Sequence, residues 1–287
     1  MLAVFFAFIS FFGWGIGDIF GAITTRKIGA YSAVYWNIVF GFIISTLYIP
    51  FLQVDQSSFT ILIISINVIL GIIFILGFIA FNEGLRIANP TLIGTIVASF
   101  AAFTVVFSII FFKETVTLPQ VLSISTIFIG LIPCSFSIKK LPKWNTKQAK
   151  GILLAFFAML CWGLYYTFIK IPVKQIGWFW PQYITLSLFP LLFFYMKINH
   201  RKLSPWNKQN VFLPLVANGI LVTIGEFSFN FAISKGLSAV VAPIAGAYPV
   251  LFAIIAFFLF KDHISKQQLL GIIISLLGIV SLATFSI

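Results

Sequence analysis

Ten apolar blocks, separated by short breaks of glycine, proline, asparagine and charged residues, divide the chain. A helix crosses the hydrocarbon core of a membrane with about 20 apolar residues, and most of the blocks reach that length. The pattern therefore predicts ten transmembrane helices. They are expected at 2–22, 32–50, 59–84, 90–112, 118–138, 149–170, 179–197, 210–234, 239–260 and 266–286.

The composition supports the same class of fold. Hydrophobic residues make up 61% of the chain and charged residues 8%, whereas about 25% of a soluble domain is charged. The blocks are too continuously apolar for an outer-membrane barrel, whose strands alternate apolar and polar residues at every second position. We expect an all-α polytopic protein of the cell membrane, embedded in the lipid bilayer. Its N-terminal block is expected to stay as the first helix rather than to be removed as a signal peptide.

The net charge of +12 points to the membrane surface rather than to a nucleic acid. Of the 18 lysines and arginines, 14 lie in or beside the loops that follow odd-numbered spans and 4 near the others. Basic loops stay in the cytoplasm, so this count places both termini outside. The sequence contains no basic stripe interleaved with aromatic residues of the kind that binds nucleic acid.

The two halves of the chain look related. A shift of 148 positions superimposes rare residues without a gap, such as Trp14 on Trp162 and Asn82 on Asn230. Because each half has five helices, an odd number, the second half must run upside down relative to the first, as in secondary transporters. We predict a first repeat at 1–138, a joining loop at 139–148 and a second repeat at 149–287.

Motifs in both halves carry a family resemblance. They are GWG at 13–15, CWG at 161–163, FKETVTLPQ at 112–120, FKDHISKQQ at 260–268 and AISKGLSAVVAPIAGAYPV at 232–250. Together they resemble the EamA family of the drug/metabolite transporter superfamily. The resemblance covers nearly the whole chain and implies ten helices in two inverted repeats, a central cavity and alternating access. It also implies transport of amino acids, other metabolites, sugars or drugs, and termini inside, opposite to the charge count.

Two carboxylates fall deep inside the predicted spans. Glu226 lies in VTIGEFSFN at 222–230 with no basic residue within a helical turn, and Asp18 lies toward the end of span 1. An ionised side chain in lipid is costly, so each is a candidate functional residue. Glu226 is expected to carry a coupling proton or hold a cationic group, or else to be a buried structural residue. Asp18 either faces the same internal site or snorkels to the membrane interface.

The stretch FGWGIGDIFG at 12–21 combines glycines four residues apart with an aromatic residue and an acid. Small residues at that spacing let two membrane helices approach closely, and Trp14 and Asp18 lie on the adjoining strip. The second repeat has Tyr166 in place of Asp18, so only the first repeat contributes an acid at this position. The aromatic residues expected near the cavity are Trp14, Trp162, Tyr165, Tyr166, Tyr183 and Tyr248.

Side-chain pairs on single helices suggest local contacts. Glu83 and Arg86, three residues apart, are expected to form an ion pair. Asn82 and Asn230, which match across the repeat, either face the cavity or bond to neighbouring helices. Span 9 contains prolines at 243 and 249, and span 4 has threonine and alanine at the matching positions 95 and 101. A kink is therefore expected in span 9 but not in span 4.

The starts of spans 5 and 10 carry helix-capping signals. Thr117 and Ser265 are each followed three residues later by a glutamine, which is the spacing of a capping box. The acids that come before them, Glu114 and Asp262, are expected to neutralise the lysines that they directly follow. These positions are interpreted as structural.

The sequence has no Walker A run and no metal-binding cluster of cysteine and histidine, and its two cysteines fall inside spans. We expect no enzyme activity, no metal and no cofactor. The favoured hypothesis is a secondary transporter of small metabolites such as amino acids, working by alternating access, with proton coupling as an option. The alternative is a non-transporting membrane scaffold or sensor. The expected partner is a small-molecule substrate, and the chain is expected to act as a monomer or a homodimer.

Overall fold

The computed structural model describes residues 1–52, 59–135, 146–207, 210–260 and 265–286, and helices fill nearly all of them. The described segments contain no β-strand, which confirms the all-α prediction. A short 3₁₀ helix at Ile49–Phe51 follows the second α-helix. The α-helices are α1 (Leu2–Ile28), α2 (Ala30–Thr46), α3 (Ile61–Ile87), α4 (Pro90–Ala98), α5 (Phe100–Phe112), α6 (Leu118–Ser135), α7 (Thr146–Phe168), α8 (Lys170–Ile176), α9 (Phe179–Ser187), α10 (Phe189–Ile198), α11 (Phe212–Lys235), α12 (Ser238–Gly246), α13 (Tyr248–Phe260) and α14 (Lys266–Thr284).

Eight helical stretches of the described chain are long and apolar enough to cross a membrane, which confirms a polytopic membrane protein. Some of them join two helices across a single residue, as Thr146–Ile176 joins α7 and α8. Two of the predicted spans differ from this pattern. The apolar part of α6, Leu118–Pro133, is shorter, and α9 and α10 are separate helices that meet at Leu188.

The two ends of the bundle differ in the number of basic residues that they carry. At one end, which we call the basic end, α1, α3 and α10 finish and α7 and α11 begin. Lys113, Lys170, Lys174 and Lys235 lie at the other end, which we call the opposite end. The described basic residues at the basic end are Arg26, Lys27, Arg86, Lys147, Lys150, Lys197, Arg201, Lys202 and Lys266.

Helices α6 and α14, which occupy equivalent places in the two halves, pack against each other. The Ser123 and Ser281 hydroxyls lie 2.7 Å apart, and the Ser275 hydroxyl donates to the Ile127 carbonyl oxygen at 3.3 Å. The contact is closest at Gly130, where an added Cβ would lie 2.4 Å from the Ser275 backbone nitrogen. Residue numbers rise along α6 while those of its partners fall along α14, so the two helices are antiparallel.

Two longer helix pairs share one packing detail. α1 packs along α11, where a Cβ added to Gly225 would lie 2.6 Å from Cδ1 of Trp14. α3 packs along α7, where a Cβ added to Gly77 would lie 2.8 Å from Cδ1 of Trp162. These residues are matched under the shift of 148 positions. The same tryptophan-on-glycine contact therefore occurs twice across the boundary between the halves.

In each half, the first loop also contains a glycine with a left-handed backbone conformation. Gly29, between α1 and α2, has φ of 83°, and Gly177, between α8 and α9, has φ of 84°. A side chain would be strained in this left-handed backbone, which glycine adopts freely. The two glycines match under the shift of 148 positions, so the turn geometry is shared by both halves.

A helix break occurs at the same position in both halves. Ser99 separates α4 from α5, and its match Ala247 separates α12 from α13. The expectation that span 4 lacks a kink is therefore wrong. Pro249 removes one backbone donor in the second half. In the first half, the Ser99 hydroxyl donates to the Thr95 carbonyl oxygen at 3.2 Å, and such a contact competes with the helical hydrogen bond and bends the helix.

The predicted capping box is complete at the start of α14, and its glutamine half is present at the start of α6. Ser265 and Gln268 form a reciprocal capping box at the start of α14. At the start of α6, the Gln120 side chain accepts a hydrogen bond from the Thr117 backbone nitrogen at 2.9 Å. The lysine and aspartate at 261–262 lie outside the described residues.

We expect Gly130→Ala to lower the melting temperature in detergent, because its Cβ would overlap the Ser275 backbone nitrogen. Overpacking a close contact costs about 1–3 kcal/mol. Gly94→Ala is the matched control, since a Cβ at Gly94 meets no atom within 4 Å. Alanine favours a helix over glycine by about 1 kcal/mol, so the control should be neutral or slightly stabilised. Equal melting temperatures for the two variants would contradict the close approach of α6 and α14.

Candidate functional site

A closed cavity lies between the halves in the middle of the bundle. Ten side chains line it, and the shift of 148 positions sorts them into five matched pairs, one member from each half. The cavity is therefore placed where equivalent positions of the two halves meet. The pairs are Trp14 and Trp162, Asp18 and Tyr166, Phe74 and Val222, Phe78 and Glu226, and Phe100 and Tyr248.

The cavity is small in this structure. Its volume is about 20 Å³, which is room for about one water molecule and too little for a metabolite. A second cavity of the same volume begins at Asp18 and Tyr248 and is lined further on by Phe81, Leu85 and other apolar residues. Because α3 runs from Phe81 to its end at the basic end, the second cavity extends toward that end.

Glu226 is the most deeply buried acid of the cavity, with 2% of its surface exposed. Its Oε1 accepts a hydrogen bond from the Tyr166 hydroxyl at 2.6 Å, which joins α11 to α7. Its Oε2 forms no hydrogen bond of ordinary geometry among the described residues, and the same is true of Trp14 Nε1 and the Tyr248 hydroxyl. The Trp14 indole N–H nevertheless lies close enough to act on the Glu226 carboxylate. Buried polar groups are nearly always hydrogen-bonded, so the Tyr248 hydroxyl and the loosely paired Glu226 and Trp14 indicate a place for a polar ligand or water.

Asp18 lies at the junction of the two cavities and is 8% exposed. The carboxyl thus faces the interior of the bundle and does not snorkel to the membrane interface. In the part of the chain that the structure describes, neither cavity is lined by a lysine or an arginine. The interior therefore contains two acids without a basic partner on its walls.

Aromatic rings enclose the two acids. The Tyr166 ring centroid lies 5.2 Å from that of Trp14 and 4.6 Å from that of Phe100. The Trp162 and Phe100 centroids are 6.1 Å apart. Aromatic faces attract a cation that lies within about 6 Å of the ring centroid, more strongly when water is excluded. The walls of the cavity are therefore suited to a positively charged group.

Four predicted residues, Tyr183 among them, lie outside the lining of the cavity. The Tyr165 hydroxyl donates to Oε1 of Gln182 at 2.9 Å. Asn82 bonds to a neighbouring helix, because its Oδ1 accepts from the Thr25 hydroxyl at 2.6 Å. Asn230 is fully buried, and neither polar atom of its amide has a partner among the described residues. The site thus contains Trp14, Asp18, Trp162, Tyr166, Glu226 and Tyr248 of the predicted residues.

The remaining lining residues were not predicted. Phe78 and Phe100 occupy the positions that match Glu226 and Tyr248, so applying the repeat shift to the candidates would have found them. Phe74 and Val222 match each other and carry no chemical signal in so apolar a chain. Tyr183, a predicted aromatic candidate, lies elsewhere and stacks on two phenylalanines.

Two helices begin at the cavity. Phe100 is the first residue of α5 and Tyr248 is the first residue of α13, and both line the cavity. These starts exist because the spans break at Ser99 and Ala247. The first turn of a helix carries a partial positive charge, which favours an anion nearby. The site therefore offers acids for a cationic group and, at the two helix breaks, starts whose charge is partly offset by the ends of α4 and α12, from which one residue separates them.

Glu114 forms a buried network instead of neutralising its neighbour Lys113, so that expectation is wrong. Its Oε1 accepts from the Lys170 ammonium, which is also buried, and from the Ser238 backbone nitrogen at 3.1 Å. Its Oε2 accepts from the Ala239 backbone nitrogen at 2.9 Å. Lys113 itself ends α5 in a left-handed conformation, with φ of 55°. The carboxylate thus caps the start of α12 and is paired across the two halves.

This network closes the bundle near the opposite end. Lys170 follows the cavity residue Tyr166 by one helical turn, which is about 6 Å along the axis. Glu114 comes from the first half, and Lys170 and Ser238 come from the second. The cavity therefore extends toward the basic end, while a buried ion pair joins the halves on its other side.

The chain matches the family described as the EamA-like transporter family at residues 1–135 and again at 149–284. The chain belongs to the EamA-like transporter family. The resemblance seen in the sequence is thereby confirmed, as is the placement of this EamA-like protein in a membrane as a multi-pass protein.

Two known proteins are similar to this EamA-like protein. An uncharacterized protein of Methanocaldococcus jannaschii, MJ1333.1, is 29% identical over 139 residues, which are 48% of this chain and 97% of that protein. A solved crystal structure, described only as that of a protein, superimposes with a TM-score of 0.81 at 14% identity, over 99% of this chain and 97% of the other. At that identity the likeness shows the fold alone.

Proposed function

We propose that this EamA-like protein is a secondary transporter of small metabolites, such as amino acids, that works by alternating access. Its ten transmembrane helices form two inverted five-helix repeats, at 1–138 and 149–287, joined by the loop at 139–148. In this arrangement α4 with α5, α7 with α8, α9 with α10, and α12 with α13 each form one span. A single chain contains the whole cavity, so the working unit is a monomer.

The observation that carries the proposal is the cavity lined by five matched pairs of residues. A site between inverted repeats can be opened to either side of the membrane when one half moves against the other. The antiparallel packing of α6 against α14 supports inversion, because these helices occupy equivalent places in the two halves. The paired tryptophan-on-glycine contacts and the matched helix breaks support it as well.

The chemistry of the cavity fits an amino acid. Asp18 and Glu226, enclosed by aromatic rings, suit a substrate ammonium group. The starts of α5 and α13 suit a carboxylate, as the starts of broken helices do in other transporters. The two halves contribute unequally, because Asp18 is matched by Tyr166, and Glu226 by Phe78. The substrate is therefore held in one orientation.

Glu226 also provides a group at which the movement of substrate is coupled to the movement of a proton. Its Oε1 is held by the Tyr166 hydroxyl, and its Oε2, which the Trp14 indole approaches without an ordinary hydrogen bond, takes either a proton or the substrate ammonium. Each of these neutralises the carboxylate, and an unpaired charge in this dry site is unfavourable. Proton and substrate therefore compete for one group, which couples the movement of one to the other.

The structure corresponds to a closed conformation of the site in this scheme. The volume of about 20 Å³ means that the halves must separate before substrate enters. The second cavity marks the path toward the basic end. The network of Glu114 and Lys170 must loosen before the site opens toward the opposite end.

A thermal-shift screen of the purified protein in detergent tests the proposal. The panel contains amino acids, sugars, nucleosides and cationic drugs, followed by uptake into proteoliposomes of any compound that binds. A ligand that binds only the folded state raises the melting temperature. At a concentration of 100 times its Kd, it stabilises the folded state by about 2.7 kcal/mol. We expect amino acids to raise it and to be taken up. A flat panel, or binding without uptake, would favour the non-transporting scaffold or sensor.

A further inference from the structure

A long apolar crevice lies on the outer surface of the bundle between α3, α7 and α10. Its volume is about 370 Å³, and Leu76 and Leu191 on its walls are about half exposed. Along α3 the crevice extends from Ile72 to Glu83, a rise of about 16 Å at 1.5 Å per residue. The hydrocarbon core of a bilayer is about 30 Å thick, so the crevice has the length of one leaflet. This shape fits a single acyl chain.

The mouth of the crevice, at the basic end, is lined by Tyr31, Glu83 and Tyr195, and two arginines lie beside it. The Tyr31 and Tyr195 rings stack with centroids 6.1 Å apart, and the Arg201 guanidinium lies 4.0 Å from the Tyr31 ring centroid. Glu83 accepts hydrogen bonds from Arg86 at 2.5 and 2.9 Å, which confirms the predicted ion pair. Arg201 is exposed and has no carboxylate partner among the described residues.

A second crevice provides an internal comparison. It has a volume of about 640 Å³ and lies at the matched place, along α11 between α1, α2 and α9, with its mouth at the opposite end. Most of its lining residues match those of the first crevice under the shift of 148 positions. The polar groups are not repeated, since Tyr31, Glu83 and Tyr195 are matched by Phe179, Phe231 and Leu47.

We propose that the first crevice binds one anionic phospholipid from the leaflet at the basic end. One acyl chain lies along α3, and the phosphate bonds to Arg201 and Lys150. Lys150 is close enough to act on the charge of Glu83, as are Arg86 and Arg201, so three cations face one carboxylate. Basic groups at the membrane surface attract anionic lipids. Among the described residues, the mouth of the second crevice has Lys235, whose ammonium lies 5.7 Å from the Phe231 ring centroid, and no arginine stacked on a lining ring. The bound lipid supports the outer face of α3, whose inner face lines the cavity.

Native mass spectrometry of the purified protein tests the proposal with phosphatidylglycerol and phosphatidylcholine of identical chains. We expect one phosphatidylglycerol to be retained in preference to phosphatidylcholine. Arg201→Gln should reduce that preference by about fivefold, the effect of one basic residue near the surface. Lys235→Gln, beside the second crevice, should leave it unchanged. Equal retention of both lipids by the wild type would overturn the proposal.

Blocking the crevice tests where the lipid lies. Leu76→Trp fills the first crevice, and Ile224→Trp is its matched control, since the two positions correspond and are 45% and 46% exposed. We expect only Leu76→Trp to remove the retained phosphatidylglycerol, while both variants keep the wild-type melting temperature without added lipid. Loss in both variants, or in neither, would overturn the assignment. So would a dimer that Leu76→Trp separates, because the crevice would then be covered by a second copy.

Discussion

Glu226→Gln is expected to abolish the pH dependence of transport and to weaken binding of the substrate by about tenfold to a hundredfold. A hydrogen bond to a charged group contributes about 1.5–3 kcal/mol, and glutamine offers neither the charge nor a site that takes up a proton. The side chains have nearly the same size, and the amide oxygen can still accept from the Tyr166 hydroxyl. The fold should therefore survive the change.

Proteoliposome uptake at several pH values, with ligand titration in detergent, checks this expectation. Tyr166→Phe is the matched control, because it removes the hydroxyl bonded to Glu226 but keeps the acid. It should retain pH-dependent uptake with a smaller loss of affinity. Asp18→Asn should weaken binding while the pH dependence remains. If uptake by Glu226→Gln keeps the wild-type pH dependence, the coupling role of this residue is wrong.

The helical, membrane-spanning character of the chain and the residues at the centre of the cavity could be predicted from the sequence, for physical reasons. Apolar blocks of bilayer length leave helices as the one way to satisfy the backbone in lipid. Carboxylates are expensive to place there, so Asp18 and Glu226 stood out, and Trp14 stood out as a rare residue that is repeated at Trp162. The repeat shift then relates Trp14 to Trp162 and Asp18 to Tyr166, and the structure brings these residues together.

The contacts that close the bundle could not be found in this way. Glu114 stands next to Lys113 in the sequence, but its partner Lys170 is 56 residues away in an apolar run. The break at Ser99 was missed for a related reason, because proline is not needed when a serine hydroxyl competes for a carbonyl oxygen. Asn230 matches Asn82 under the repeat shift, but its surroundings differ. The match therefore predicted the position of Asn230 without predicting a hydrogen-bond partner for it.

Glu114→Gln is expected to be among the most destabilising single changes in the described chain. It leaves the buried Lys170 ammonium without a carboxylate, and removing one partner of a buried ion pair costs about 3–5 kcal/mol. The amide nitrogen of glutamine would also face a backbone N–H at the start of α12. Lys170→Met should cost less, because Glu114 keeps the two backbone donors of Ser238 and Ala239. Unfolding of each variant in detergent measures the difference.

The double variant Glu114→Gln with Lys170→Met distinguishes the contribution of the ion pair to stability from its role in closing the path to the opposite end. Residues of one buried network couple by about 0.5–3 kcal/mol, so the double variant should be more stable than the sum of the single losses predicts. Because it lacks the ion pair between the halves, its cavity should open more often toward the opposite end. A cysteine placed at Val222, with Cys134 and Cys161 replaced by serine, should then react faster with a thiol reagent added from that side. Unchanged reactivity with a confirmed fold would show that the pair stabilises the bundle without closing the path.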